Sequence, residues 1–165
     1  MHKISTEIKW ALIFSVATLA WMLAEKVSGL HDRYIDYQMY LTLLFLIPAV
    51  WIYLLALKNK RKKDYGGRFT YFQGFVSGFF LTIFITLLSP LTQWVTSFVI
   101  TPGYFNTVIQ RSVELGYYPS EEEAKAYFNF KNYIKGSMTF SFFFGMTTTA
   151  VLMLFLRNKK SREFE

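Results

Sequence analysis

The sequence predicts an all-α polytopic membrane protein, with four transmembrane helices and an outer amphipathic helical cap between spans 3 and 4. Two observations carry this. Four apolar stretches, Trp10 to Ala24, Tyr40 to Leu57, Phe75 to Ile100 and Ile134 to Leu156, have no charge in their inner parts. At about 1.5 Å per residue they cross or nearly cross a hydrocarbon core of about 30 Å. The second observation is where the charge lies. Twelve of the 18 Lys and Arg fall in Met1–Lys9, Lys58–Arg68 and Arg157–Glu165, whereas the alternate segments hold seven of the 11 acidic residues. The positive-inside rule then puts both termini and the Lys58–Lys63 loop in the cytoplasm.

Residues 1–165 read as one membrane domain, with spans at about 8–28, 38–57, 70–100 and 134–156 and an outer helical segment at 102–133. A composition of 53% hydrophobic and 20% aromatic residues is rich for a soluble domain. The net charge of +7 is a topology signal rather than a nucleic-acid signal. It also attracts anionic headgroups, so membrane lipid is an expected partner of Lys58, Lys60, Arg61, Lys62 and Lys63. The absence of cysteine excludes disulfides, thiolate metal sites and thiol catalysis.

Helix 1 is expected to begin near Ser5 or Thr6, with hydroxyl caps in front of Glu7, and to run to about Ser28 before Gly29 ends it. Lys3 and Lys9 resemble a signal-peptide n-region, but Ala24-Glu25-Lys26 offers no small-x-small cleavage pattern, so a retained span is expected. Helix 2 carries Pro48 at mid-span and should kink there. Helix 3 follows the turn-forming Asp64-Tyr65-Gly66-Gly67 and is interrupted at Ser89-Pro90. Thr101-Pro102 reads as an N-cap followed by proline at the first helical position. From there Phe105, Ile109 and Val113 recur at helical spacing as a weak amphipathic helix ending at Gly116. Ser120 with Glu123 forms a capping-box pattern that starts the next helix, which runs on into span 4 if nothing breaks it.

Small residues recur every fourth position in two spans: Gly74, Gly78, Thr82 and Thr86 along span 3, and Ser137, Ser141, Gly145 and Thr149 along span 4. Helix association in lipid depends on close packing of such residues, so the two stripes should face one another or a symmetry mate, with hydroxyls bonded to backbone carbonyls. Gln93 is expected to bond across helices near the outer interface.

The segment Tyr65-Gly66-Gly67-Arg68-Phe69-Thr70-Tyr71-Phe72-Gln73-Gly74-Phe75-Val76-Ser77-Gly78, followed by Ser89-Pro90-Leu91 and Ile100-Thr101-Pro102-Gly103-Tyr104-Phe105, resembles a bacterial family. Trp21, Glu25-Lys26, Gly29-Leu30-His31 and Tyr127-Phe128-Asn129 extend the likeness over most of the chain. The family is one of small membrane proteins, mostly of Bacteroidetes, catalogued as domain of unknown function 4199. The resemblance implies a four-span protein of the inner membrane and carries over no catalytic residue.

The most interesting polar cluster is Glu25, Lys26, His31 and Asp32, with Arg33 and Asp36, at the outer end of helices 1 and 2. A carboxylate with an imidazole can bind a cation or relay protons, yet no HxxxH or HxxE pair accompanies His31. A solvated loop anchored by Glu25 and Lys26 is therefore expected, and no metal or other cofactor. GxSxG, HExxH and Walker A patterns are missing, as is an aspartate pair within a span. The expected function is non-catalytic: an accessory or scaffold protein that binds lipid, a membrane protein partner or a second copy of itself. The alternative is a small oligomeric channel or transporter.

Overall fold

The structure, a computed structural model, describes residues 4–157. The basic residues Lys3, Lys159, Lys160 and Arg162, expected on the cytoplasmic side, lie outside it. The described residues are mostly helical and contain no strand: α1 (Ser5–Val27), α2 (Ile35–Leu41), α3 (Leu46–Asp64), α4 (Tyr71–Val95), α5 (Tyr104–Glu114), α6 (Glu121–Tyr127) and α7 (Phe130–Leu156). Four helical segments are long and apolar enough to cross a membrane: α1, the α2–α3 rod, α4 with its extension to Ile100, and the segment from Glu121 to Leu156. Bonds between Lys60 and Glu7, Ser77 and Glu7, and Arg61 and the Leu156 carbonyl gather one terminus of each span together. This is the basic end of the bundle. The α5–α6 cap lies between spans 3 and 4 at the other end.

Local chemistry explains each boundary. Helix α1 ends in a Schellman turn: Gly29 takes φ +81°, and the Leu30 and Gly29 amides donate to the Glu25 and Lys26 carbonyls at 3.0 Å. The expected hydroxyl cap at Ser5 or Thr6 is not made, for Ile4 is the N-cap and supplies no side-chain bond. Span 2 begins at Ile35 rather than near 38 and runs to Asp64 rather than 57, so the basic segment Lys58–Lys63 is helix and not loop. Lysine and arginine are good helix formers, and a positive last turn suits the helix dipole. Pro48 has no N–H for the Leu44 carbonyl and crowds it, and the chain tightens into a 3₁₀ turn at Thr42–Phe45.

Thr70 and Gln73 form a full capping box at the start of α4. Pro90 does not interrupt that helix. The Thr86 carbonyl that it deprives of a donor receives the Ser89 hydroxyl at 2.8 Å instead. A π-helical turn, Thr96–Ile100, extends α4. Thr101 closes this turn, its amide and hydroxyl both donating to the Thr96 carbonyl, instead of capping α5 as the sequence suggested. The cap and span 4 are separate helices: Phe128 leaves helical geometry, and the Asn129 side chain accepts the Asn132 amide to start α7.

Helices α4 and α7 form the closest pair. A Cβ at Gly78 would collide with Thr149, one at Gly145 would lie 2.6 Å from Thr82 Oγ1, and one at Gly74 would collide with Met153. Around this seam a central core of Ala11, Phe14, Ala49, Ile52, Tyr53 and Leu81 joins α1, α3 and α4, and Phe144 links α7 to it. A second core of Leu57, Phe69, Met153 and Leu156 fills the basic end.

Candidate functional site

Toward the cap end, beyond Tyr53, the four spans part around a cavity of about 190 Å³. Phe14, Phe45, Tyr53, Phe140 and Phe144 supply aromatic walls, and serine and threonine hydroxyls with the Gln93 amide supply the polar ones. Among the described residues no carboxylate, lysine, arginine or histidine lines it. Toward the basic end it is closed, since Tyr53, Leu81, Thr82 and Thr149 are all 1% exposed or less. Tyr53 donates to Thr82 at 3.1 Å, because the Thr82 proton is already given to the Gly78 carbonyl.

At the cap end Glu25 is 2% exposed and His31 1%. Trp21 Nε1 donates to Glu25 Oε1 at 2.6 Å, the Thr42 hydroxyl donates to the same oxygen, and His31 Nε2 donates to Oε2 at 3.0 Å. The 3₁₀ turn before Pro48 is what presents Thr42. The expectation of a solvated loop is therefore corrected for these two residues: three donors satisfy the carboxylate, so it can leave water. His31 Nδ1 is buried without a partner among the described residues, and the ring stands edge-on to Tyr104. Lys26 donates to the Ile100 carbonyl at the end of the π turn. Asp32 is exposed.

The cap is held down by polar bonds. Arg111 makes a two-pronged contact with Asp36, at 2.8 and 2.7 Å, and a third bond to Glu114 at 3.0 Å. These carboxylates hold the guanidinium protonated more firmly than usual. Tyr104 donates to Gln38 at 2.9 Å, and burial pushes its phenol pKa up.

The basic end holds a cluster that charge counting misses. Lys60, 1% exposed, lies 2.9 Å from Glu7 Oε1 and 2.7 Å from Asp64 Oδ2. Ser77 donates to Glu7 at 2.8 Å. Lys60 is thus removed from the headgroup-facing set, because two carboxylates hold it inside the bundle. Lys58, Lys62 and Lys63 remain exposed, and half-buried Arg61 donates to the Leu156 carbonyl at 3.1 Å.

The small-residue stripes divide. Gly74, Gly78 and Thr82 meet Met153, Thr149 and Gly145 in the closed half. Ser137 and Ser141 line the cavity instead. Thr86 is half-buried, and its hydroxyl, like that of Thr149, has no partner among the described residues. Gln93 donates to Ser97 on its own helix at 3.0 Å, not across helices.

No group of three or more His, Cys, Asp or Glu among the described residues is placed to hold a metal ion. Four apolar spans, an uncharged internal cavity and buried ion clusters at both ends define a small helical integral membrane protein. The chain belongs to the family described as "Protein of unknown function (DUF4199)", whose model matches residues 9–158. No curated protein and no solved structure matches it.

Proposed function

We propose that this chain is a non-catalytic accessory protein of a bacterial inner membrane, with both termini cytoplasmic and the cap outside, that works by binding another membrane component in the outer half of its bundle. The cavity carries this reading. It is roomy on the cap side and stopped at Tyr53, so it has the form of a blind binding pocket rather than a passage. The alternative of transport requires a polar path past Tyr53, Thr82 and Thr149, where the helices touch.

The test is mild extraction into lipid nanodiscs, with identification of whatever stays bound. Retention of one lipid or one stoichiometric protein, with no solute flux in liposomes made from the pure chain, is the expected result. Flux through the pure chain would overturn the binding role. Because the chain has no cysteine, single Lys63→Cys and Glu123→Cys variants report orientation without background. An impermeant maleimide added outside intact cells should label only the second.

A further inference from the structure

The cavity's hydrogen-bond polarity is one-sided. Each lining hydroxyl has one proton to give and two lone pairs to receive with. On α1, Ser15 gives its proton to the Ala11 carbonyl and Thr18 to the Phe14 carbonyl, both at 3.0 Å. On α4 and the π turn that extends it, Ser89, Thr92 and Thr96 give theirs to the Thr86, Ser89 and Thr92 carbonyls at 2.8–2.9 Å. Ser137 on α7 does the same to Ile134 at 2.9 Å. The Gln93 amide donates to Ser97, and the Tyr53 phenol points at Thr82. What these hydroxyls have left to offer the cavity is oxygen lone pairs, and Gln93 adds its amide oxygen beside one further N–H. Among the described residues Ser141 is the one lining hydroxyl with no hydrogen bond assigned to it.

That arrangement selects by elimination. A cation there would be buried in low dielectric with no carboxylate on the walls, and an anion would meet mostly acceptors, with only the Ser141 hydroxyl and the second Gln93 N–H to donate to it; both are costly. A purely apolar guest would leave the oxygens unanswered. Cavities of about 150 Å³ admit a benzene-sized guest, and this one is about 190 Å³. We infer that the cavity is a binding site for a neutral hydrogen-bond donor, a hydroxyl carried on an apolar body of single-ring or short-chain size. The donor reaches the Thr18, Thr92 and Gln93 oxygens, and the body lies among Phe14, Phe45 and Phe144. The hydroxyl belongs either to a free alcohol or phenol or to the head of an uncharged lipid.

The inference deepens the binding role proposed above and rests on it for the cavity being the working site. The probes are 4-fluorophenol and 4-fluorotoluene, matched rings with and without a donor, followed by ¹⁹F NMR on the full chain in nanodiscs against empty nanodiscs. Saturable binding of the phenol, at least tenfold tighter than of the toluene, is expected. Thr18→Val and Thr92→Val each keep the side-chain size and remove one acceptor. Each should weaken the phenol about fivefold and leave the toluene unchanged, in protein whose melting shows that it is folded. Equal affinities, no saturable signal from either probe, or indifference to both valines overturns the assignment.

Mass spectrometry of the extracted chain separates the sources. Displacement of an uncharged hydroxyl lipid by 4-fluorophenol identifies a lipid, and phenol binding without displacement identifies a free small molecule. Displacement of a charged lipid contradicts the elimination. The two readings fail separately: a retained partner without phenol preference removes the ligand class alone, and solute flux removes the binding role alone.

Discussion

Lys60 Nζ lies 2.9 Å from Glu7 Oε1 with both side chains 2% exposed or less, tying the first turn of α1 to the last turns of α3. Removing one member of a buried pair strands the other charge, at a cost of about 3–5 kcal/mol. Lys60→Met should therefore unfold far more readily than Lys58→Met, whose lysine is exposed. The double variant Glu7→Leu/Lys60→Met should recover much of the loss. Denaturant unfolding in detergent, followed by tryptophan fluorescence, checks this; equal midpoints for the two single variants would show the pair to be idle.

The contact between Gly78 and Thr149 has a similar test with an internal control. Alanine at Gly78 or Gly145 forces its methyl into Thr149 or Thr82, and overpacking of this kind costs about 1–3 kcal/mol. Gly136, on the same helix as Gly145, has nothing within 4 Å of an added Cβ. Gly136→Ala should be neutral or stabilise by about 0.5–1 kcal/mol through helix propensity. Melting temperatures should rank Gly136→Ala at or above the parent and the other two below it.

The spans were legible because burial in lipid demands long uncharged stretches, a signal that survives without neighbours. The Glu7–Lys60 and Asp36–Arg111 pairs were not, since they join residues far apart in sequence. Yet one signal was present. Glu7, Ala11, Phe14, Thr18 and Glu25 step along α1 at intervals of three, four or seven, and Ala49, Tyr53, Ala56 and Lys60 do so along α3. Both charges at the basic end therefore continue a buried face. Reading Lys60 with its basic neighbours instead of with its helical face hid its partner. The small-residue stripes were visible as period-four patterns, but where contact gives way to cavity depends on Phe14 and Phe45 from other parts of the chain as well as on Phe144 beside Gly145. No local pattern encodes that.

Glu25 organises the cap end through Trp21, Thr42 and His31. Glu25→Ala leaves the buried His31 and the half-buried Trp21 and Thr42 without their acceptor, and an unsatisfied buried group costs about 1–3 kcal/mol. Asp32→Ala, one residue beyond His31 and exposed, should change stability little. Hydrogen exchange over residues 20–45 is the readout, with faster exchange expected in the first variant only. Matching exchange in the two would remove Glu25 from this role.

Arg111 holds α5 against the start of α2 through a fork onto Asp36 at the surface. Lysine keeps the charge and loses the fork. Arg111→Lys should leave the melting of the bundle unchanged while α5 amides exchange faster, and the difference should shrink as salt screens the parent's contact. A loss of global stability would mean that the cap is part of the core.

The basic end provides the sharpest separation of structural from surface charge. Lys58, Lys62 and Lys63 are exposed, whereas Lys60 is enclosed by Glu7 and Asp64. A basic residue near an anionic leaflet is worth about 1 kcal/mol. Glutamine at Lys58, Lys62 and Lys63 should therefore lower the preference for anionic over zwitterionic lipid stepwise, without changing unfolding. Lys60→Gln should do the opposite, lowering stability and leaving lipid preference in place. Titrating nanodisc-bound protein with spin-labelled phosphatidylglycerol distinguishes the two. If Lys60→Gln alters lipid preference as much as Lys62→Gln does, its ammonium reaches the headgroups after all and the buried pair does not hold in a bilayer.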